Sequence, residues 1–294
     1  MPVHRFPGRA VPLRELRAAC RVGRLSTNRP AFAQRAWATL AAFAILTSCP
    51  AFASGAPRKT TPPNDATPRE LAVRGHARAL YYPPAKGSSR RVLLWLHGRG
   101  AHVADECAKW APLARKFGWL LCPQGDEIRE GGTRGWANDS VHGRDNVASA
   151  LAALRKKSKN AIEPGRHVLI GFSEGAFIAM QLGVHETSTW SRWLILAAND
   201  GYWLGDGASR LREQKKQLRR VVLLTGAGDE VVQETRRTFA ILEREKVAAK
   251  LLVPGDLGHE VPGERMFALY NYPLRWLLGL ENDPPPKGHR KTRR

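Results

Sequence analysis

Three residues stand out by type and spacing as able to do chemistry together. The segment Gly171-Phe172-Ser173-Glu174-Gly175 offers a serine hydroxyl flanked by glycines. A serine hydroxyl is a poor nucleophile until a base removes its proton. Further on, Pro254-Gly255-Asp256-Leu257-Gly258-His259-Glu260 supplies an imidazole that could be that base. Asp229, in Thr225-Gly226-Ala227-Gly228-Asp229, supplies a carboxylate that could fix the imidazole tautomer and stabilise the imidazolium. Asp200 is the alternative acid. Asp256 lies too close to His259 along the same loop for easy geometry. His76, His102, His142, His167 and His185 lack a strand-end position with the right chain order. His167 at a strand start reads as structural, and His185 near a helix end as a surface group favoured by the dipole.

The elements around these residues follow from hydrophobic patterning. Short apolar runs recur at 91–96, 119–123, 167–172, 193–198, 221–225 and 250–253. They are apolar throughout, as strands buried on both faces must be. Helix-period segments separate them at 104–118, 145–158, 174–186, 207–219, 231–247 and 264–279. Strands alternating with helices imply βαβ units, so the expected fold class is α/β, with a mostly parallel sheet and helices on both faces. Segment 71–83 is expected to add an antiparallel hairpin at one edge. Right-handed crossovers place every parallel strand's C-terminal end on one rim, where ligands of open α/β sheets bind. Ser173, Asp229 and His259 each follow such a strand. G-x-S-x-G between strand and helix is the context in which a sharp turn lifts the serine clear of the sheet.

Leu96-His97-Gly98, Gly171-Phe172-Ser173-Glu174-Gly175, Gly228-Asp229 and Gly258-His259 together resemble the phospholipase/carboxylesterase branch of the α/β-hydrolase superfamily. Dienelactone-hydrolase-like enzymes share these motifs. The resemblance covers roughly residues 90–280. It implies hydrolysis of carboxylic esters or thioesters through an acyl-enzyme, with no cofactor. It also implies an oxyanion hole made by the backbone N–H of Glu174 and one from the loop His97-Gly98-Arg99-Gly100. Arg99 is the expected donor and Gly100 the fallback, with His97 a structural group beneath the loop. Glu174, where the branch often has Gln, and the basic Arg99 are departures that bear on substrate preference. The same triad would serve an acyltransferase, and a relict triad would leave a non-catalytic envelope binding protein. The connections late in the chain are too short for a large helical cap, so an open site is expected. Gly100, Trp136, Tyr202 and Trp203 are candidates to line an acyl pocket. Asn138 and Asp139 fit a turn or helix cap better than a substrate contact. The sequence suggests no metal ligand set.

The ends of the chain read differently. Residues 36–48 form a short apolar run after Arg29 and Arg35, followed by Ala51-Phe52-Ala53. Basic region, apolar core and small-residue site together read as an export signal over 1–53. Leu46-Thr47-Ser48-Cys49 resembles a bacterial lipobox, so Cys49 is a candidate lipid anchor. Residues 54–69 read as a linker rich in Pro and Thr, 70–282 as the catalytic domain and 283–294 as a basic tail. The formal net charge of +21 is concentrated in part at both ends. That charge favours an anionic envelope surface as partner of the tail. Nucleic acid is not expected, because no binding module accompanies the charge. The expected substrate is a small-molecule or lipid-like ester. Cleavage after Ala53 leaves Cys107 and Cys122, an even pair and a disulfide candidate in an exported domain.

Overall fold

The computed structural model describes residues 67–203 and 205–281. The leader 1–53 with Cys49, residues 54–66 of the linker and the tail 283–294 lie outside the described residues. Strands β1 (Arg69–Leu71) and β2 (Ala79–Tyr82) form the expected antiparallel hairpin. Arg69, the last residue of the linker segment, already belongs to β1. Next come β3 (Val92–Leu96), α1 (Val103–Ala114) and β4 (Trp119–Cys122). A small antiparallel ribbon, β5 (Glu127–Ile128) with β6 (Arg134–Gly135), then leads into α2 (Ser140–Lys157). The alternation continues with β7 (Val168–Phe172), α3 (Glu174–His185), β8 (Arg192–Leu196) and α4 (Gly207–Gln214). It ends with β9 (Arg220–Leu224), α5 (Val232–Arg244), β10 (Ala249–Leu252) and α6 (Met266–Leu278).

Eight strands form one sheet in the order β1-β2-β4-β3-β7-β8-β9-β10. Strand β2 runs antiparallel to β4, and every pairing from β4 to β10 is parallel. The fully buried β3 shows why the central strands read as continuous apolar runs. Val92, Leu94 and Leu96 point into one core; Leu93 and Trp95 point into the other. Each such burial stabilises by roughly 1.5–3 kcal/mol. The first core is closed by Val147, Leu151 and Leu154 of α2, Ile178 and Leu182 of α3, Leu211 of α4 and Leu242 of α5. The second is closed by Val103 and Trp110 of α1 and Tyr270 and Leu274 of α6.

Helix α2 starts five residues before its apolar pattern begins, because a cap sets the start. The Asp139 carboxylate accepts from the N–H groups of Val141 and His142, both at 3.0 Å. Cys107 on α1 and Cys122 at the end of β4 are joined by a disulfide, closing a loop with a sequence separation of 15. A crosslink of that span stabilises by about 3 kcal/mol through the unfolded chain. Among the described residues, no helix is long and apolar enough to cross a membrane.

Candidate active site

The chain leaves β7 at Phe172 and enters α3 at Glu174, with Ser173 alone between them. Ser173 holds φ 54° and ψ −119°, a left-handed conformation that non-glycine residues rarely adopt. The flanking glycines make this turn possible. A Cβ at Gly175 would lie 2.2 Å from the Leu96 carbonyl oxygen, and one at Gly171 would lie 2.5 Å from the Gly175 oxygen. The turn thus passes against the end of β3, its neighbour in the sheet, and leaves Ser173 at the positive end of α3.

The base and acid come from two loops knitted to each other. The Ala227 N–H donates to the Pro254 carbonyl at 2.8 Å, and the Gly228 N–H to the Leu257 carbonyl at 3.0 Å. These bonds join the loop after β9, which carries Asp229, to the loop after β10, which carries His259. His259 Nε2 lies 3.0 Å from Ser173 Oγ, and His259 Nδ1 lies 2.9 Å from Asp229 Oδ2. The Asp229 side chain is almost fully buried, and its second oxygen accepts from the Val231 N–H at 3.0 Å. With an acceptor on Nδ1, the network assigns the proton to Nδ1 and leaves the Nε2 lone pair for the serine hydroxyl. The Phe172 ring packs 4.9 Å from the imidazole, centroid to centroid. The two other acids turn elsewhere: Asp200 pairs with Arg237 at 2.9 Å, and Asp256 with Arg265 at 3.1 Å.

The loop after β3 runs beside Ser173: a Cβ at Gly98 would come 3.5 Å from Ser173 Cβ. Among the described residues, the N–H groups of Arg99 and Glu174 have no acceptor, so both are free to face a developing oxyanion. The fallback donor is closed, because the Gly100 N–H is taken by the Arg134 carbonyl at 2.9 Å. Gly100 therefore splints the loop onto the ribbon and is not the donor.

The Glu174 side chain, expected to bear on substrate preference, has a framing role. It is buried; Oε2 accepts from the Trp136 N–H at 3.0 Å, and Oε1 from the Asn138 N–H and Arg99 Nη2, both at 3.1 Å. Ala137 and Asn138 both sit at φ 52°, and these bonds hold them there. Trp136 is not a pocket wall: its indole is buried, and Nε1–H donates to the His97 carbonyl at 3.0 Å. His97 is fully buried beneath the loop. Nδ1 donates to the Gly98 carbonyl at 2.8 Å, and Nε2 accepts from the Gly125 N–H at 3.0 Å. Burial pushes the His97 pKa down to about 4, so it stays neutral near pH 7.

Trp203 is likewise buried and belongs to the core near the start of α4, so it lines no acyl pocket. Tyr202 is half-buried, edge-on to Phe177 at 5.6 Å. Its phenol is raised above the ordinary range by burial and by the nearby charges of Asp229 and Glu174. Of the three aromatic pocket candidates, Tyr202 alone keeps a place beside the site.

No protein-family model matches the sequence, and no curated protein matches it. Solved structures do. An uncharacterized protein from Bacillus cereus superposes with a TM-score of 0.56 at 18% identity, over 68% of this chain and 63% of that one. TT1662 from Thermus thermophilus gives 0.55 at 17% identity, over 72% of this chain and 97% of that one. Porphyromonas gingivalis dipeptidyl peptidase 4 gives 0.51 at 16% identity, over 72% of this chain and 35% of that one. The fold is the α/β-hydrolase fold. The chain spans less than two thirds of the Bacillus protein's length and about a third of the peptidase's. Within this fold, the rim at the ends of β3, β7, β9 and β10 carries Arg99, Ser173, Glu174, Asp229 and His259.

Proposed function

We propose that the protein is a serine hydrolase of carboxylic esters or thioesters, acting through an acyl-enzyme on Ser173. The observation that carries the reading is His259 bridging Ser173 and Asp229 at 3.0 and 2.9 Å on the rim of an α/β-hydrolase sheet. His259 Nε2 takes the hydroxyl proton as Oγ attacks the acyl carbon, then gives it to the leaving alkoxide. Water, deprotonated by the same nitrogen, then releases the acid. Asp229 holds the imidazole and stabilises its cation. The free N–H groups of Arg99 and Glu174 are the donors for the tetrahedral oxyanion, a role worth several kcal/mol in transition-state stabilisation. In the same reading the protein is exported, with the Cys107–Cys122 disulfide suited to an oxidising compartment. The basic tail 283–294 then meets an anionic envelope surface, and its deletion should release binding to anionic vesicles while sparing ester turnover.

The test is covalent labelling by a fluorophosphonate probe, followed by a series of esters of increasing acyl length. Wild type should label and Ser173→Ala should not. Asp229→Asn should keep the fold and lose about 10⁴ in kcat, by the serine-protease precedent. Folded wild type that takes no label would mean a site that is not activated, and the reading would fail.

A further inference from the structure

A second constellation lies at the same end of the sheet and takes no part in the proposed catalysis. His76 comes from the β1–β2 connection, Asp126 follows β4, and His142 sits in the first turn of α2. His76 Nδ1 and His142 Nε2 each lie 2.8 Å from the same oxygen, Asp126 Oδ2. The potential ligand atoms of these residues all lie within 4.8 Å of one another. We propose that His76, Asp126 and His142 bind a divalent transition cation of the zinc type.

Three observations carry this. The first is the donor set. Two imidazole nitrogens and one carboxylate oxygen suit zinc and its neighbours, whereas magnesium and calcium prefer oxygen alone. The second is the surrounding shell. A metal-bound histidine nearly always donates its other ring N–H to a carboxylate or carbonyl. Here His76 Nε2 faces Asp145 Oδ2 at 3.0 Å, and the His76 side chain is only 3% exposed. Asp126 is oriented in the same manner: Oδ1 accepts from the Ala77 N–H at 2.7 Å, and Asn146 Nδ2 reaches Oδ2 at 3.0 Å. His142, Asp145 and Asn146 fall on one face of α2, at i, i+3 and i+4.

The third is convergence on one atom: His76 Nδ1, His142 Nε2 and Asn146 Nδ2 crowd onto Asp126 Oδ2 at 2.8, 2.8 and 3.0 Å. A cation there would take the two ring nitrogens and that oxygen as ligands, while His76 Nε2 keeps its place against Asp145. Ligands at ~2.1 Å from a tetrahedral zinc stand ~3.4 Å apart, so the 2.8 Å contacts need to open by about 0.6 Å. His142, 53% exposed, has room to do so and leaves a fourth position to water.

The cation would be structural. It would clasp the β1–β2 connection and the start of α2 to the turn at Gln124–Asp126. The Gly125 N–H in that turn holds His97 beneath the candidate oxyanion loop. The site does not depend on the hydrolase reading, because none of its residues belongs to the catalytic set.

The experiment uses the full chain, stripped with a chelator and titrated with Co²⁺ while the visible absorption of the bound ion is followed. One Co²⁺ should bind with the intense d–d bands of four-coordination, and Zn²⁺ should displace it. His142→Ala, at an exposed position where the fold should survive (circular dichroism checks this), should weaken binding at least ~100-fold. Asp126→Asn should do the same. Ser173→Ala should bind as wild type. His4, Cys20, Cys49 and His289 offer donors elsewhere, so the loss in the variants is the deciding readout. No binding by wild type, or binding that both variants retain, would overturn the proposal.

Discussion

The turn at Gly171–Gly175 and the segment 125–138 meet at Glu174, but they hold their shapes by different means. The turn is local. Two glycines let the backbone of α3 close onto the end of β3, and Ser173 takes its strained conformation from neighbours within two residues. The segment is held from far away. His97 secures Gly125, the Arg134 carbonyl secures Gly100, and the Glu174 carboxylate secures Trp136 and Asn138 across 38 and 36 residues of sequence. The turn that presents the Ser173 hydroxyl therefore depends on steric fit, and the loop beside it depends on buried hydrogen bonds. The two should fail differently when perturbed.

The sharpest break falls on the turn. In Gly175→Ala the new Cβ would meet the Leu96 and His97 carbonyl oxygens at 2.2 and 2.5 Å, and backbone cannot swing aside. Fluorophosphonate labelling should fall to the level of Ser173→Ala. Urea unfolding should show a loss at the upper end of the roughly 1–3 kcal/mol typical of overpacking. Glu174→Ala probes the other region. It leaves the Trp136 and Asn138 N–H groups without their acceptor, at about 1–3 kcal/mol for each group left unsatisfied. The triad and the Glu174 N–H remain. Labelling should therefore slow by less than the ~100-fold that a lost oxyanion donor costs. If labelling vanished while stability held, the contrast between the two regions would be wrong.

The same contrast explains what the sequence disclosed. Every parallel strand and its helix were legible, because buried strands announce themselves as apolar runs and their helices by period. The turn was legible because its glycines and serine stand within five residues. The ribbon was not: β5 and β6 have two residues each, too few for any period. The framing role of the Glu174 carboxylate was not legible either, since its partners lie on a segment that only the folded chain brings near. Trp136 and Trp203 were misread for a related reason. An aromatic in a loop after a strand can face a ligand or anchor the loop, and burial decides between these only once the core exists.

A smaller and more distributed effect should appear with pH. Burial lowers the His97 pKa from 6.5 to about 4 and that of His167 from 6.5 to about 3. In His97, Nε2 accepts from Gly125, and in His167, Nδ1 accepts from the Val92 N–H at 3.2 Å. Both roles need a neutral ring. The unfolded chain takes up protons at these sites below pH 6.5 while the folded chain does not, so stability should drop as pH falls from 6.5 toward 4. The loss is on the order of 2 kcal/mol per histidine. Thermal unfolding across this range should show it, and His167→Gln should flatten the dependence. A melting temperature unchanged between pH 6.5 and 4.5 would mean that the rings are not held neutral, and the segment 125–138 would need another anchor than His97.

The gentlest probe is Arg99→Ala, because Arg99 lies where the two regions touch without belonging to the buried part of either. Its side chain is 47% exposed, and its bond to Glu174 at 3.1 Å is one of three reaching that carboxylate. Only the guanidinium end of the pair meets water, and two backbone N–H groups still hold the buried carboxylate, so unfolding should shift by about 1 kcal/mol. The Arg99 N–H stays in place, so turnover of a neutral ester should hardly change. An effect should appear only with an ester that carries a negative charge near its acyl carbon, as a fall in kcat/KM relative to the neutral ester. Equal ratios in wild type and variant would assign the guanidinium wholly to Glu174, and Arg99 would then count with Trp136 and Asn138 as part of the frame.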